Sequence, residues 1–281
     1  MMWILLGIAA WIAGWALNIR LARRPRSRAV SLAVPVIFGA TLIVMWEAAV
    51  RGFGISPVLL PAPSAIAEEF GHSAHLLRED FVQTVIKGAL TGYLIGCAAA
   101  LVVAVIVDRF DFLRRGLLPV GNFVAALPII GIAPILVMWF GFDWQSKAAV
   151  VVVMVFFPML VNAVEGLRDT SAMQRDLMRT YAAGYWTTLL KLRLPAAMPF
   201  VFNGLKIAST LALIGAIVAE FFGSPIRGMG FRISTSVGLL ALDLVWAEIV
   251  VAAIAGSAFY GGIALIERAV TFWHPSQRGH G

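Results

Sequence analysis

Seven apolar runs punctuate the chain, at residues 3–17, 31–50, 81–107, 117–140, 148–164, 200–219 and 247–266, with short polar stretches between them. In hydrocarbon a backbone satisfies its polar groups only within a helix or a closed barrel, so runs of this length predict membrane-spanning helices. Pro35 falls near the start of the second run, where a missing N–H costs little, and Glu47 lies near its far end. After it, Pro57, Pro61 and Pro63 interrupt regular structure, and Ser64 to Glu68 predicts a short, capped amphipathic helix on the membrane surface. In the third run Gly88, Ala89, Gly92, Gly96 and Ala100 recur at roughly every fourth position, which lets another helix approach closely. Residues 108–116 read as a short loop. The fourth run carries Pro119, Pro128, Gly131 and Pro134, and predicts a helix broken at mid-depth. Such a break is either a pathway wall or a kink absorbed by packing. Residues 221–246 are too polar and glycine-broken to span, and suggest a loop with a short helix or re-entrant segment.

The longest polar interruption, Gly166 to Ala197, reads as two short helices. Thr170 or Ser171 followed by Gln174 has the form of a capping box, and Met173, Leu177 and Thr180/Tyr181 recur on one helical face. Gly184 is the expected positive-φ residue ending the first helix, and Tyr185 to Leu192 form a second helix that Pro195 stops. The shape is that of a docking platform, or of an amphipathic loop lying on lipid headgroups.

Composition fixes the class. Of 281 residues, 60% are hydrophobic and 13% charged, and mean hydropathy is +0.89, which describes a polytopic membrane protein. The net charge of +7 would raise nucleic acid as a partner of a soluble protein. Here most of the Lys and Arg fall in alternate loops, at residues 20–28, 109–115, 168–193 and 268–278, which places those loops in the cytosol. The N-terminus is then outside, the C-terminus inside, and the platform cytosolic. The Arg-rich stretch follows the first apolar run instead of preceding it, so that run reads as a retained helix and not a signal peptide.

Reactive chemistry is sparse. Cys97 is the single cysteine, and His72, His75, His274 and His280 all lie outside the apolar runs, so no disulfide framework, metal centre or intramembrane Ser–His pair is expected. No GxxxxGK[ST] occurs, so ATP hydrolysis of the P-loop kind would need another subunit. Glu220 closes the sixth run; a pathway or gate role and a hydrogen bond to the following glycine loop both remain open. Lys206 is expected to snorkel, since Glu220 lies about 21 Å away along one helix. Arg227 and Arg232 read as an anion- or partner-attracting pair or as a solvated loop.

One resemblance covers roughly Val34 to Pro275. Permease subunits of bacterial ABC importers carry a cytoplasmic pattern E-A-A, three residues, G, nine residues, I-x-L-P. Asp176-Leu177-Met178, Ala182 and Leu192-Arg193-Leu194-Pro195 keep that spacing, with Asp for Glu, Leu-Met for Ala-Ala, Ala for Gly and Leu for Ile. Leu59-Leu60-Pro61-Ala62-Pro63, Leu127-Pro128 with Pro134 and Trp139-Phe140-Gly141, Val218-Ala219-Glu220 and Gly228-Met229-Gly230-Phe231 are similar to the nitrate/sulfonate/taurine branch. The resemblance implies an all-α polytopic protein of about seven transmembrane helices. A six-helix type I core would occupy residues 31–275, preceded by an extra helix in residues 1–30 and followed by a polar tail, 276–281. It implies a coupling loop at residues 166–197, with Asp176, Leu177, Arg179, Thr180, Tyr181, Ala182 and Gly184 contacting an ATPase or shaping the turn. Pro128, Pro134, Asn203 and Glu220 become pathway or gate candidates. The implied partners are ATP-binding cassette ATPase subunits carrying ATP and Mg, a second permease copy and an extracytoplasmic solute-binding protein. The site is a bacterial inner membrane, with no cofactor or catalysis in this chain and no nucleic acid. An ion-coupled secondary transporter and a non-transporting scaffold are the competing readings.

Overall fold

A computed structural model describes residues 2–23, 27–125 and 128–273. Among them there is no strand, and six helices are long and apolar enough to cross a membrane. The expected tail at 276–281, with Arg24, Arg26, Leu127, His274, Arg278 and His280, lies outside the described residues. The chain divides into two compact units, one of Met1–Leu77 with Ile233–Val250, the other of Arg78–Arg232 with Val251–Gly281.

In the first unit α1 (Met2–Ala22) and α2 (Arg28–Phe53) pair in opposite directions, with Arg51 stacked 5.0 Å over the ring of Trp3. Ser27 caps α2 by accepting from the Val30 N–H. Helix α3 (Pro63–His72) begins differently from expectation: Ala62 is its N-cap and makes no side-chain bond. Pro63, with its fixed φ and no N–H, sets the first turn, so Ser64 is already inside the helix. The Ser64 N–H and hydroxyl instead donate to Glu47, at 3.0 and 2.8 Å, and Arg51 pairs with the same carboxylate. Trp46 and Trp246 meet edge to face at 4.9 Å.

Helix α4 (Ala74–Arg109) runs for 36 residues and includes a π-helical stretch, Val82–Leu90. The loop expected at 108–116 is a single extended residue, Phe110, before α5 (Asp111–Ala125). Asp111 to Gly116 join the helix because the apolar periodicity of the following residues continues back through them. Where one broken span was expected there are two shorter helices, α5 and α6 (Ile129–Phe140), the second starting from Pro128 as N-cap. Then follow α7 (Trp144–Arg168), capped by Asp143, and α8 (Ala172–Thr180). Helix α9 (Tyr185–Phe221), 37 residues long, is succeeded by α10 (Met229–Gly238) and α11 (Leu242–Val270).

Helix α7 is the centre of the second unit, sandwiched between α4 and α9. Val151, Val155, Met159, Leu160 and Ala163 on α7 are buried against Ala89, Cys97 and Ala100 on one side and Ala197, Ala208 and Ala212 on the other. In lipid no hydrophobic force drives helices together, so contact depends on small residues that let backbones approach. Gly92 shows why: a Cβ there would stand 2.6 Å from the Ala148 carbonyl oxygen and 2.6 Å from Val151 Cβ. Lys206 does not snorkel. It donates to Glu267 at 2.8 Å, because a neutralised, hydrogen-bonded ammonium near hydrocarbon is cheaper than a free one, and this ties α9 to α11.

Gly92→Val is expected to force α4 off α7 and to destabilise the protein by about 3 kcal/mol. A thermal unfolding scan in detergent should show a clear fall in midpoint. Gly71→Ala, which meets nothing within 4 Å inside a helix, should hold the midpoint or raise it slightly, because alanine is the better helix former.

Candidate functional site

Two places outside the apolar packing are built with unusual completeness, one at each end of α9. The first is the platform. Ser171 and Gln174 form the capping box: the Ser171 hydroxyl accepts from the Gln174 N–H at 3.2 Å and the Gln174 amide oxygen accepts from the Ser171 N–H at 2.9 Å. Thr170 has a different task, receiving the Arg175 guanidinium on its carbonyl. Helix α8 ends in a Schellman motif, with Ala183 N–H on the Met178 carbonyl (3.0 Å) and Ala182 N–H on that of Arg179 (2.8 Å). This motif needs a left-handed residue, and Ala182 supplies it at φ 50°. Gly184, expected to do so, is instead extended (φ −69°, ψ 172°) and is the N-cap of α9. The correction is physical: the motif's geometry is counted from the end of α8, which places the left-handed position two residues before the glycine.

No residue of α8 is buried. Met173, Leu177 and Tyr181, four apart and therefore on one face, are 82%, 56% and 76% exposed. Asp176 and Arg179 pair on another face at 3.2 Å, and the Thr180 hydroxyl donates to the Asp176 carbonyl at 3.1 Å. The platform is thus a rigid hairpin presenting an apolar stripe.

Its base is fixed by charge. Arg193 donates from two nitrogens to the Asp108 carboxylate, at 2.7 and 2.5 Å, and from Nε to the Leu167 carbonyl at 2.9 Å. The Tyr185 hydroxyl donates to the same carboxylate at 2.9 Å, and Arg109 lies 4.7 Å over the Tyr185 ring. One guanidinium therefore joins α9 to the ends of α4 and α7. Pro195 does not stop the helix here. The chain passes through a π-helical stretch, Leu189–Arg193, immediately before it. The wider turn makes room for a ring that lacks an N–H and would clash with the preceding carbonyls, so 185–221 stays one helix.

The far end of α9 holds the second place. Glu220 is buried and accepts from the Thr84 hydroxyl (2.8 and 2.9 Å) and the Gly230 N–H (2.8 Å). Thr84 in turn accepts from the Met229 N–H at 2.8 Å, and buried Asp80 accepts from the Gly228 N–H at 2.6 Å. Arg232 neutralises Asp80 at 2.7 Å, so it is not a solvated loop cation. Buried Lys147 donates to the Phe142 carbonyl at 2.5 Å and to that of Gly223. Gln83 donates to Asp143 at 3.0 Å; this bond and that from the Trp144 N–H hold the Asp143 carboxyl below the usual range. Among the described residues no cluster of His, Cys, Asp and Glu suited to a metal is found.

Residues 92–272 match the family described as the binding-protein-dependent transport system inner membrane component. A probable ABC transporter permease protein of Haemophilus influenzae is 31% identical, over 79% of this chain and 90% of that protein. The formylaminopyrimidine transport permease ThiX of Halalkalibacterium halodurans is 30% identical over 86% and 96%, and the taurine permease TauC of Escherichia coli 26% over 90% and 93%. The chain belongs to this family. It is a multi-pass membrane component of the ABC importer permeases, in the nitrate/sulfonate/taurine branch. Membership sets aside the ion-coupled and scaffold readings.

The permease gathers Asp176, Leu177, Arg179, Thr180, Tyr181, Ala182 and Gly184 into the one platform. It does not bring the four pathway candidates together. Pro128 and Pro134 belong to α6; Asn203 donates to Asn162 at 3.0 Å on the face between α9 and α7. Glu220 is 17 residues further along α9, about 26 Å at 1.5 Å per residue. An apolar cavity of about 180 Å³ lies against the α5–α6 break, lined by Val124, Ile129, Ile132, Met154, Pro158 and Leu211 among others. Asp80, Thr84, Asp108 and Lys147 escaped the sequence reading. The signal for the two aspartates was there: they stand at both ends of the third apolar run, where each requires a partner.

Ala182→Gly should tighten the Schellman turn by roughly 0.5–1 kcal/mol, since glycine takes a positive φ without strain. Hydrogen exchange of the amides in 177–183 should slow about two- to fivefold. Arg193→Ala should cost about 3–5 kcal/mol by stranding the Asp108 charge. The thermal midpoint in detergent should fall, and the Asp108→Asn/Arg193→Leu double variant should regain most of the loss.

Proposed function

We propose that this chain moves a small organic or anionic solute inward, by alternating access driven by separate ATPase subunits. The N-terminus lies outside and the C-terminus in the cytosol, and the α5–α6 pair is the seventh, broken span. The platform faces the cytosol and inserts into a groove on an ATP-binding cassette subunit, which holds ATP and Mg. A second copy of the permease completes the pathway, an extracytoplasmic binding protein delivers the solute, and the assembly resides in a bacterial inner membrane. The relatives named for taurine and formylaminopyrimidine transport support a small polar organic solute.

One observation carries the reading: Met173, Leu177 and Tyr181 are held exposed on a capped, rigid helix whose base is clamped to two spans. A loop meant only to rest on lipid needs neither the two-ended capping nor the ion-paired base. A lever needs both, because a slack segment absorbs a push instead of passing it on.

The test is assembly and transport. Tagged permease, co-expressed with its ATPase and reconstituted with its binding protein, should retain the ATPase and support nucleotide-dependent uptake. Leu177→Glu/Tyr181→Glu should lower ATPase recovery at least tenfold and reduce uptake to background, with membrane insertion intact. Wild-type ATPase recovery by that double variant would sink the docking role.

A further inference from the structure

Helix α9 joins the two built places. At 1.5 Å per residue its 37 residues extend about 55 Å without a break, with Tyr185 in the platform and Glu220 in the last turn. Beyond a helix end a glycine-containing loop is ordinarily free to move. Residues 223–232 are not. Gly223 is held by Lys147, Gly228 by Asp80, Met229 by Thr84, Gly230 by Glu220, and Arg232 again by Asp80. Three consecutive backbone N–H groups are thus each taken up by a side chain from a span.

The fit leaves room for nothing larger than glycine. Gly228 has φ +117°, and a Cβ there would stand 2.4 Å from Glu220 Oε1; at Gly230 a Cβ would stand 2.1 Å from the Ile217 carbonyl oxygen. Both Glu220 oxygens accept hydrogen bonds, which an amide at this position cannot reproduce. What this fastening leaves outside is a small tip, in which Ile226 and Arg227 are exposed.

We propose that Glu220 is a positioning residue which latches the Gly228–Gly230 turn to the end of α9. Movement imposed on the platform then reaches the 223–232 segment at the opposite end without slack. Glu220 touches no solute in this role. It makes the loop part of the rod. The inference rests on the transport reading above, because only a driven lever gives such a rod something to transmit.

The experiment uses complete transport complexes, with ATPase and binding protein in nanodiscs, carrying wild-type permease, Glu220→Ala, Glu220→Gln or Gly228→Ala. Two readouts are taken per assembled complex. One is the ratio of the ATPase rate with solute-loaded binding protein to the rate without it. The other is the rate of tryptic cleavage after Arg227, which reports freedom of the tip. Glu220→Ala and Gly228→Ala should raise cleavage at least tenfold and bring the stimulation ratio close to one, with Glu220→Gln intermediate in both. A preserved ratio with a freed tip overturns the proposal, and so does a lost ratio with unchanged cleavage. Should Glu220→Ala fail to assemble, Glu220→Gln and Gly228→Ala decide by the same criteria. If wild-type complexes show no stimulation at all, the transport reading fails. Cleavage after Arg227 then tests the latch alone, and unchanged cleavage in all variants overturns it.

Discussion

A charged or hydrogen-bonding group in hydrocarbon has no water to fall back on, and this cost decides where the polar side chains of the second unit sit. Asp80, Thr84, Lys147 and Glu220 gather at one end of the long helices, and Asp108, Tyr185 and Arg193 at the other. Thr84 and Glu220, Asp80 and Arg232, and Asp108 with Tyr185 and Arg193 pair across different helices, while Lys147 holds the carbonyls of the turns before α7 and after α9. The same bonds that remove an unsatisfied charge therefore stitch helices together. Between the two ends α7 packs mainly through apolar side chains and close small-residue contacts, with the Asn203–Asn162 bond crossing to α9.

That division of labour suits the proposed transport cycle, in which helices move without coming apart. Small-residue packing permits close approach yet has few directional constraints, so helices joined this way can slide or rock as bodies. Bidentate and multiply bonded ends are directional and stiff. Helix α9 combines both, with multiply bonded ends and a middle that packs mainly through small residues, crossed by the Asn203–Asn162 bond and the Lys206–Glu267 ion pair. Its π-helical stretch beside Pro195 keeps it continuous where a proline would otherwise have divided platform from span.

The platform shows how modest sequence departures are absorbed. Alanine stands at the left-handed position of the Schellman turn, where the related pattern has glycine. The turn still closes, because two backbone hydrogen bonds and a fully formed capping box at the other end of α8 outweigh the strain at one residue. The apolar stripe of Met173, Leu177 and Tyr181 does not depend on that residue, since it follows from helical period alone.

What the sequence by itself determined is what repeats locally. Six of the seven apolar runs mark helices long enough to span, the four-residue spacing of Gly88, Gly92 and Gly96 marks a packing face, and Ser171 with Gln174 marks a helix start. Each of these depends on neighbours within one or two turns. The tertiary structure alone decided which end groups meet. Asp108 and Arg193 are 85 residues apart, Asp80 and Arg232 are 152 apart, and no periodicity links them. It also decided that Pro195 continues a helix, that Ala182 and not Gly184 turns left-handed, and that Arg232 is paired. Arg232 was decided by a partner far away in the chain, Asp80, and the other two by where α8 ends and by the π-helical turn before the proline, neither of which the residue pattern fixes.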